Sequence, residues 1–235
     1  MPEGRRVKSN TAKVSVPQKE RYETPRVMIT SKPTRPGRNT EGGLTEAQRR
    51  TVLAEEERIK NNDYETAVIV NTSGEVVGRV RGTGSRVSGA DIARAAGGVQ
   101  GLRDAVIIHN HPGNKQVAAF GNTLATRVGS PLSPTDIFYA SITNAAEIRA
   151  TTGNYIYSVR RPAGGWPDTD TSQSIMRATQ RAGRREADRL YNFVNETGNS
   201  TLGKQRDSRA ELLSQWHTIQ DMARALGTTI TRRRR

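Results

Sequence analysis

Short runs of apolar and β-branched residues punctuate the middle of the chain. Glu65-Thr66-Ala67-Val68-Ile69-Val70, Glu75-Val76-Val77-Gly78-Arg79-Val80, Ala105-Val106-Ile107-Ile108 and Tyr155-Ile156-Tyr157-Ser158-Val159-Arg160 have the length and residue types of strands. The first two are joined by Asn71-Thr72-Ser73-Gly74, a turn-forming cluster, so they predict a hairpin. Helical signals lie between these runs. Thr45 caps a helix over Glu46 to Asn61, whose charged body and sparse apolar positions (Val52 and Ile59) predict a mostly solvated element. Ser88, with Asp91 three residues on, opens a short helix that Gly97-Gly98 closes. Ser133-Pro134 starts a further helix expected to reach about Arg149. The order strand, strand, helix, strand, helix, strand predicts an α/β fold, a mixed sheet flanked by helices.

Beyond Trp166, which sits in a Gly-Pro turn and is expected at the core edge, the periodicity becomes helical. Ser172 to Glu196 and Asp207 to Leu226 predict two amphipathic helices, the second with Leu212, Leu213, Trp216, Ile219, Met222 and Ala223 on one stripe. Gly198-Asn199-Ser200 and Gly203 separate them into a helical hairpin able to pack on the core or on a partner. The last residues, Thr231-Arg232-Arg233-Arg234-Arg235, read as a charge run that cannot pack alone. At the other end, residues 1–42 hold five of the ten prolines and no periodicity, the signature of a disordered basic arm. Three parts are therefore expected: an arm over 1–42, an α/β domain over 43–165, and a helical hairpin with a basic tail over 166–235.

Charge sharpens this division. The formal net charge is +14, but residues 41–160 are nearly balanced, with 13 Lys/Arg against 12 Asp/Glu. Residues 1–40 carry 10 against 3 and residues 161–235 carry 14 against 8. Basic ends on a neutral core suit non-specific nucleic-acid contact, and equally suit solubilising tails. The absence of cysteine excludes disulfides, a thiol nucleophile and thiolate zinc sites. No stretch of eighteen apolar residues and no apolar signal segment are present, so the expectation is a cytoplasmic protein, or a virion-associated one if phage-encoded, without a membrane partner.

The chemistry concentrates in His109-Asn110-His111-Pro112, at the end of the third apolar run. Residues i and i+2 of a strand share a face, so both imidazoles can meet at one point. A returning carboxylate such as Asp136 completes a His, His, Asp set with an open fourth position for water, the ligand count of a catalytic zinc site. Taken alone, Ser133-Pro134-Thr135-Asp136 is also a good helix start, with Ser at the N-cap, Pro at N1 and an acid at N3, and the two histidines could be a polar strand end. The joint, ordered occurrence favours a metal site.

This pattern resembles the JAMM motif of the MPN (JAB) metallopeptidase family: an upstream Glu, His-x-His-Pro, then Ser-x-x-Asp. The His109-Asn110-His111-Pro112-Gly113 variant looks most like the bacterial and phage branches, including RadC-like proteins. The resemblance covers about residues 63–160 and implies an MPN-like fold with one Zn2+ per chain held by His109, His111 and Asp136. It further implies Ser133 as an oxyanion stabiliser, Glu65 as general acid/base with Glu75 as its rival, and a protein or peptide substrate, often a ubiquitin-like tail in this family. Domains of this appearance also occur attached to phage head proteins, which gives an alternative: a phage or mobile-element accessory protein whose basic ends contact nucleic acid. The 25 positions from His111 to Asp136 exceed the family's usual connection, and Lys115 to Pro131 reads as an insertion.

Overall fold

The computed structural model describes residues 44–84, 86–112, 130–196 and 200–235. The expected arm over 1–42 and most of the insertion lie outside these residues. Among the described residues there are five α-helices: α1 (Glu46–Ile59), α2 (Gly89–Ala95), α3 (Pro134–Ile142), α4 (Thr169–Glu196) and α5 (Ser200–Ala225). Six strands, β1 (Thr66–Val70), β2 (Val76–Arg81), β3 (Val106–Asn110), β4 (Glu147–Thr151), β5 (Tyr155–Arg160) and β6 (Ile230–Arg234), form one mixed sheet in the order β2-β1-β3-β4-β5-β6.

The hairpin β1–β2 forms where its sequence places it, with Gly74 at φ 86 in the turn, a conformation that suits glycine. β3 runs antiparallel to β1 and parallel to β4, with α3 as the crossover between the parallel pair. Alternation along the buried strands sends side chains to two layers. Val68, Val70, Val106 and Ile108 pack under Val52 and Ile59 of α1. Ala67, Ile69, Ile107, Ile148, Tyr157 and Val159 face the other way, against Ile137 of α3, Ile175 of α4, Ile219 and Met222 of α5, and Leu226 just past it. The helical hairpin therefore shares one apolar core with the sheet. Trp166 closes its edge, donating from Nε1 to the Ala145 carbonyl at 2.8 Å.

Four elements differ most from the sequence reading. The helix opened by Ser133 ends at Ile142, not near Arg149. Asn144 turns into the left-handed region at φ 54, and the Ala145 N–H closes the helix on the Ala140 carbonyl. The chain then enters β4, a strand hidden by its composition, because Ala, Glu and Arg favour helix and Glu147 and Arg149 are charged yet buried. The Arg149 guanidinium bonds Glu56 of α1 at 2.7 Å and Glu147 beside it, and Arg160 reaches Glu147 at 3.1 Å. That network also corrects α1. It is less solvated than its charge suggests, since Gln48, Glu55, Glu56, Val52 and Ile59 are all buried against the sheet. The terminal arginine run is not loose either. It forms β6, the edge strand beside β5, because a ladder needs only backbone groups and an edge leaves arginine side chains in water. Arg232 lies 5.3 Å from the ring centroids of both Tyr155 and Trp216, and Arg235 bonds Glu57, the Glu56 carbonyl and Thr151.

Candidate metal centre

The sheet delivers the site at the carboxyl end of β3. His109 is its fourth residue, paired in register with Ala67 and Ala150, and it faces the same layer as Ile107. One residue past the strand, the His111 N–H still bonds the Thr151 carbonyl at 2.9 Å, so the main chain carrying both imidazoles is held by neighbouring strands. Their Nε2 atoms converge to 3.0 Å. His111 Nδ1 lies 2.8 Å from the Ser130 carbonyl, an acceptor only. Nδ1 must therefore carry the hydrogen, which leaves the Nε2 lone pair of His111 aimed at the shared point.

Two carboxylates flank this point. Asp136 enters from the first turn of α3, with Oδ2 3.7 Å from His109 Nε2. Its position is fixed by the helix start: Asp136 Oδ2 accepts from the Ser133 N–H at 2.7 Å, and Ser133 Oγ accepts from the Asp136 N–H at 3.2 Å. The hydroxyl of Ser133 accepts through a lone pair and keeps its own hydrogen to donate. Glu65, just before β1, places Oε1 3.6 Å from His111 Nε2. Its main chain is tied both ways to the end of β2, through Glu65 N–H to the Thr83 carbonyl and Gly82 N–H to the Glu65 carbonyl, each at 2.7 Å.

Glu65, His109 and His111 offer ligand atoms that all lie within 4.8 Å of one another, a group able to hold a metal ion. Two ligand atoms on one tetrahedral zinc, each about 2.0–2.2 Å from it, stand roughly 3.3–3.5 Å apart. The separations of 3.0 Å between the imidazoles, 3.6 Å from Glu65 to His111 and 3.7 Å from Asp136 to His109 lie near that spacing, Asp136 standing outside the mutually close group, and imidazole with carboxylate is a donor set suited to zinc. Glu75, the rival of Glu65, is exposed at the far end of the hairpin, bonded to Asn71 and Ser73.

The electrostatics separate the members. Burial alone would raise Asp136, but the charge of His109 beside it, with the Ser133 N–H it accepts, overcomes this and holds the carboxyl well below the usual range. Burial likewise works against a charged His109, yet Asp136 and Glu65 outweigh it and its pKa lies above the ordinary imidazole value. His111 is pushed down to about 4 by burial and by the charge of His109, so it stays neutral. Glu65 is raised, chiefly by burial, with His109 opposing. A firmly ionised Asp136, a neutral His111 and a more basic Glu65 give the two carboxylates unlike chemistry around one point.

One participant was not singled out from the sequence. Asn110, between the histidines, points to the opposite side and is fully buried. Its Oδ1 accepts from the Thr66 N–H at 2.7 Å, and its Nδ2 donates to the carbonyls of Tyr64 at 3.1 Å and Asn62 at 3.3 Å. It thereby fastens both sides of Glu65 to the strand that carries the histidines. The available signal was an amide at the end of an apolar strand, which must find partners if buried. Comparison with family models, curated proteins and solved structures returns no match.

Proposed function

We propose that the protein is a zinc-dependent metallopeptidase or isopeptidase of the JAMM type, its mixed sheet being an MPN-like core. The observation that supports this most directly is the convergence of His109 and His111 Nε2 at 3.0 Å, with Asp136 and Glu65 beside them. His109, His111 and Asp136 would hold the ion. Bound zinc supplies a water acidic enough to attack an amide carbonyl near neutral pH. Glu65, buried and raised in basicity, takes the proton of the attacking water and returns it to the departing amine nitrogen. Ser133 donates its hydroxyl hydrogen to the carbonyl oxygen as negative charge grows there. No protein nucleophile is required, in keeping with a chain that has no cysteine. The substrate is an amide bond in a protein or peptide, and ubiquitin-like tails are the first class to try on the strength of the motif.

The roles separate by substitution. Glu65→Gln should keep fold and zinc but lose about 10²–10⁴-fold in turnover, the usual contribution of a general base. Glu75→Gln, exposed and remote, should leave turnover unchanged. Hydrolysis of a responsive peptide or isopeptide that survives Glu65→Gln would remove Glu65 from the mechanism.

A further inference from the structure

Four exposed arginines on the helices have a bridged acid three residues earlier. Arg49 follows Glu46, Arg58 follows Glu55, Arg94 follows Asp91 and Arg224 follows Asp221, and each pair is bridged. Four arginines of α4 lack such an acid. Arg177, Arg181, Arg184 and Arg185 are all exposed, and the residues three and four positions before each are Gln, Ser, Ala or Arg. Among the described residues, none of the four has an acid partner. The acids on this side of the helix, Asp170 in its first turn and Asp188 beyond Arg185, bracket the row without bonding it.

At 3.6 residues per turn the four arginines occupy a stripe roughly 100° wide, opposite the buried Ser172, Ile175 and Gly183. The helix cannot roll to hide them. At Gly183 it meets α5 so closely that a Cβ would stand 2.1 Å from Thr218 Oγ1, and Ser214 Oγ donates to the Gly183 carbonyl at 3.0 Å. One turn on, Glu186 bonds His217 Nδ1 at 2.8 Å. Arginines at positions 177 and 181, 181 and 184, and 181 and 185 are like charges on neighbouring turns, an arrangement that weakens a helix by itself. A rigidly presented row of uncompensated guanidiniums is suited to an external polyanion.

We propose that this row binds the phosphodiester backbone of nucleic acid, independently of the metal centre. The four-residue steps from Arg177 to Arg181 to Arg185 advance about 6 Å each along the helix, which suits repeated charges, and each arginine fork can bind phosphate oxygens in pairs. A membrane surface fits less well, because Ser174, Ala178 and Ala182 beside the row offer no large apolar group to enter lipid. Contacts of this kind position the protein without reading sequence.

The test uses the full-length chain and a labelled short DNA duplex of arbitrary sequence, followed by fluorescence anisotropy from ~0.05 to ~0.2 M salt. R177Q/R181Q/R184Q/R185Q is compared with R49Q/R58Q/R94Q/R224Q, which removes the same charge from acid-paired sites. Gln is a good helix former, and coincident thermal melts check that both variants fold. The row variant should bind at least about tenfold more weakly, with a salt slope reduced by about three to four, while the control stays within about twofold of the parent. Equal loss in both variants, unchanged affinity of the row variant, or no binding by the parent overturns the proposal. Polyglutamate competing as well as DNA would assign the row to acidic proteins and overturn it too.

Discussion

Two buried clusters of charge sit on opposite faces of the same sheet and are resolved differently. On the α1 side, Glu56 and Glu147 meet Arg149, and Arg160 reaches Glu147 from the rim. Each acid has a guanidinium, although Glu56 Oε2 is buried without a hydrogen-bond partner among the described residues. At the carboxyl end of β3, the cationic groups beside Glu65 and Asp136 among the described residues are imidazoles, and no described lysine or arginine enters the surroundings that set either carboxyl. Burying an acid without a partner is costly. The first cluster answers that cost with its own cations and serves the fold. The second leaves room for a cation from outside, which is what a metal centre requires.

The contrast can be broken from the structural side first. Arg149→Ala leaves two buried acids unpaired and should cost about 3–5 kcal/mol, read from denaturant midpoints, while the molecules that remain folded keep their zinc capacity. A loss under about 1 kcal/mol would show that the α1-side network does not hold the sheet to its helix. Asn110→Ala should cost less, about 1–3 kcal/mol, by stranding the Thr66 N–H and the carbonyls of Asn62 and Tyr64. Its larger consequence is on Glu65, so turnover should fall more than zinc affinity does. Equal falls in both would mean that Asn110 supports the whole strand end and not the Glu65 segment.

Proton competition gives the smallest effect. His111, held near 4, needs no deprotonation at neutral pH, whereas His109 keeps its proton to a higher pH than an ordinary imidazole. Zinc must displace that proton. Affinity should therefore rise with pH until His109 is neutral and fall on acidification by up to about tenfold per unit, measured between about pH 6 and 8. Affinity independent of pH across that range would remove His109 as the titrating ligand.

Much of this was legible in the chain. The i, i+2 spacing of His109 and His111 at a strand end is a rule of the pleat, and Ser133-Pro134-Thr135-Asp136 carries a capping box that holds Asp136 in place. What escaped was whatever depends on partners distant in sequence. β4 reads as helix because Glu147 and Arg149 look solvated until Glu56, some ninety residues earlier, is brought against them. β6 reads as a solvated tail because only pairing with β5 gives three of its arginines a strand's backbone. The reach of Asn110 to residues 62–66 likewise appears only once β1 and β3 are neighbours.

Zinc titration of the metal-free, full-length protein tests the central claim most directly. The wild type and Glu65→Gln should each take up one zinc per chain, and His109→Ala and Asp136→Ala should take up none. No uptake by the wild type would contradict a metal centre at the end of β3, and loss of zinc in Glu65→Gln with retention in Asp136→Ala would contradict the roles given to the two carboxylates.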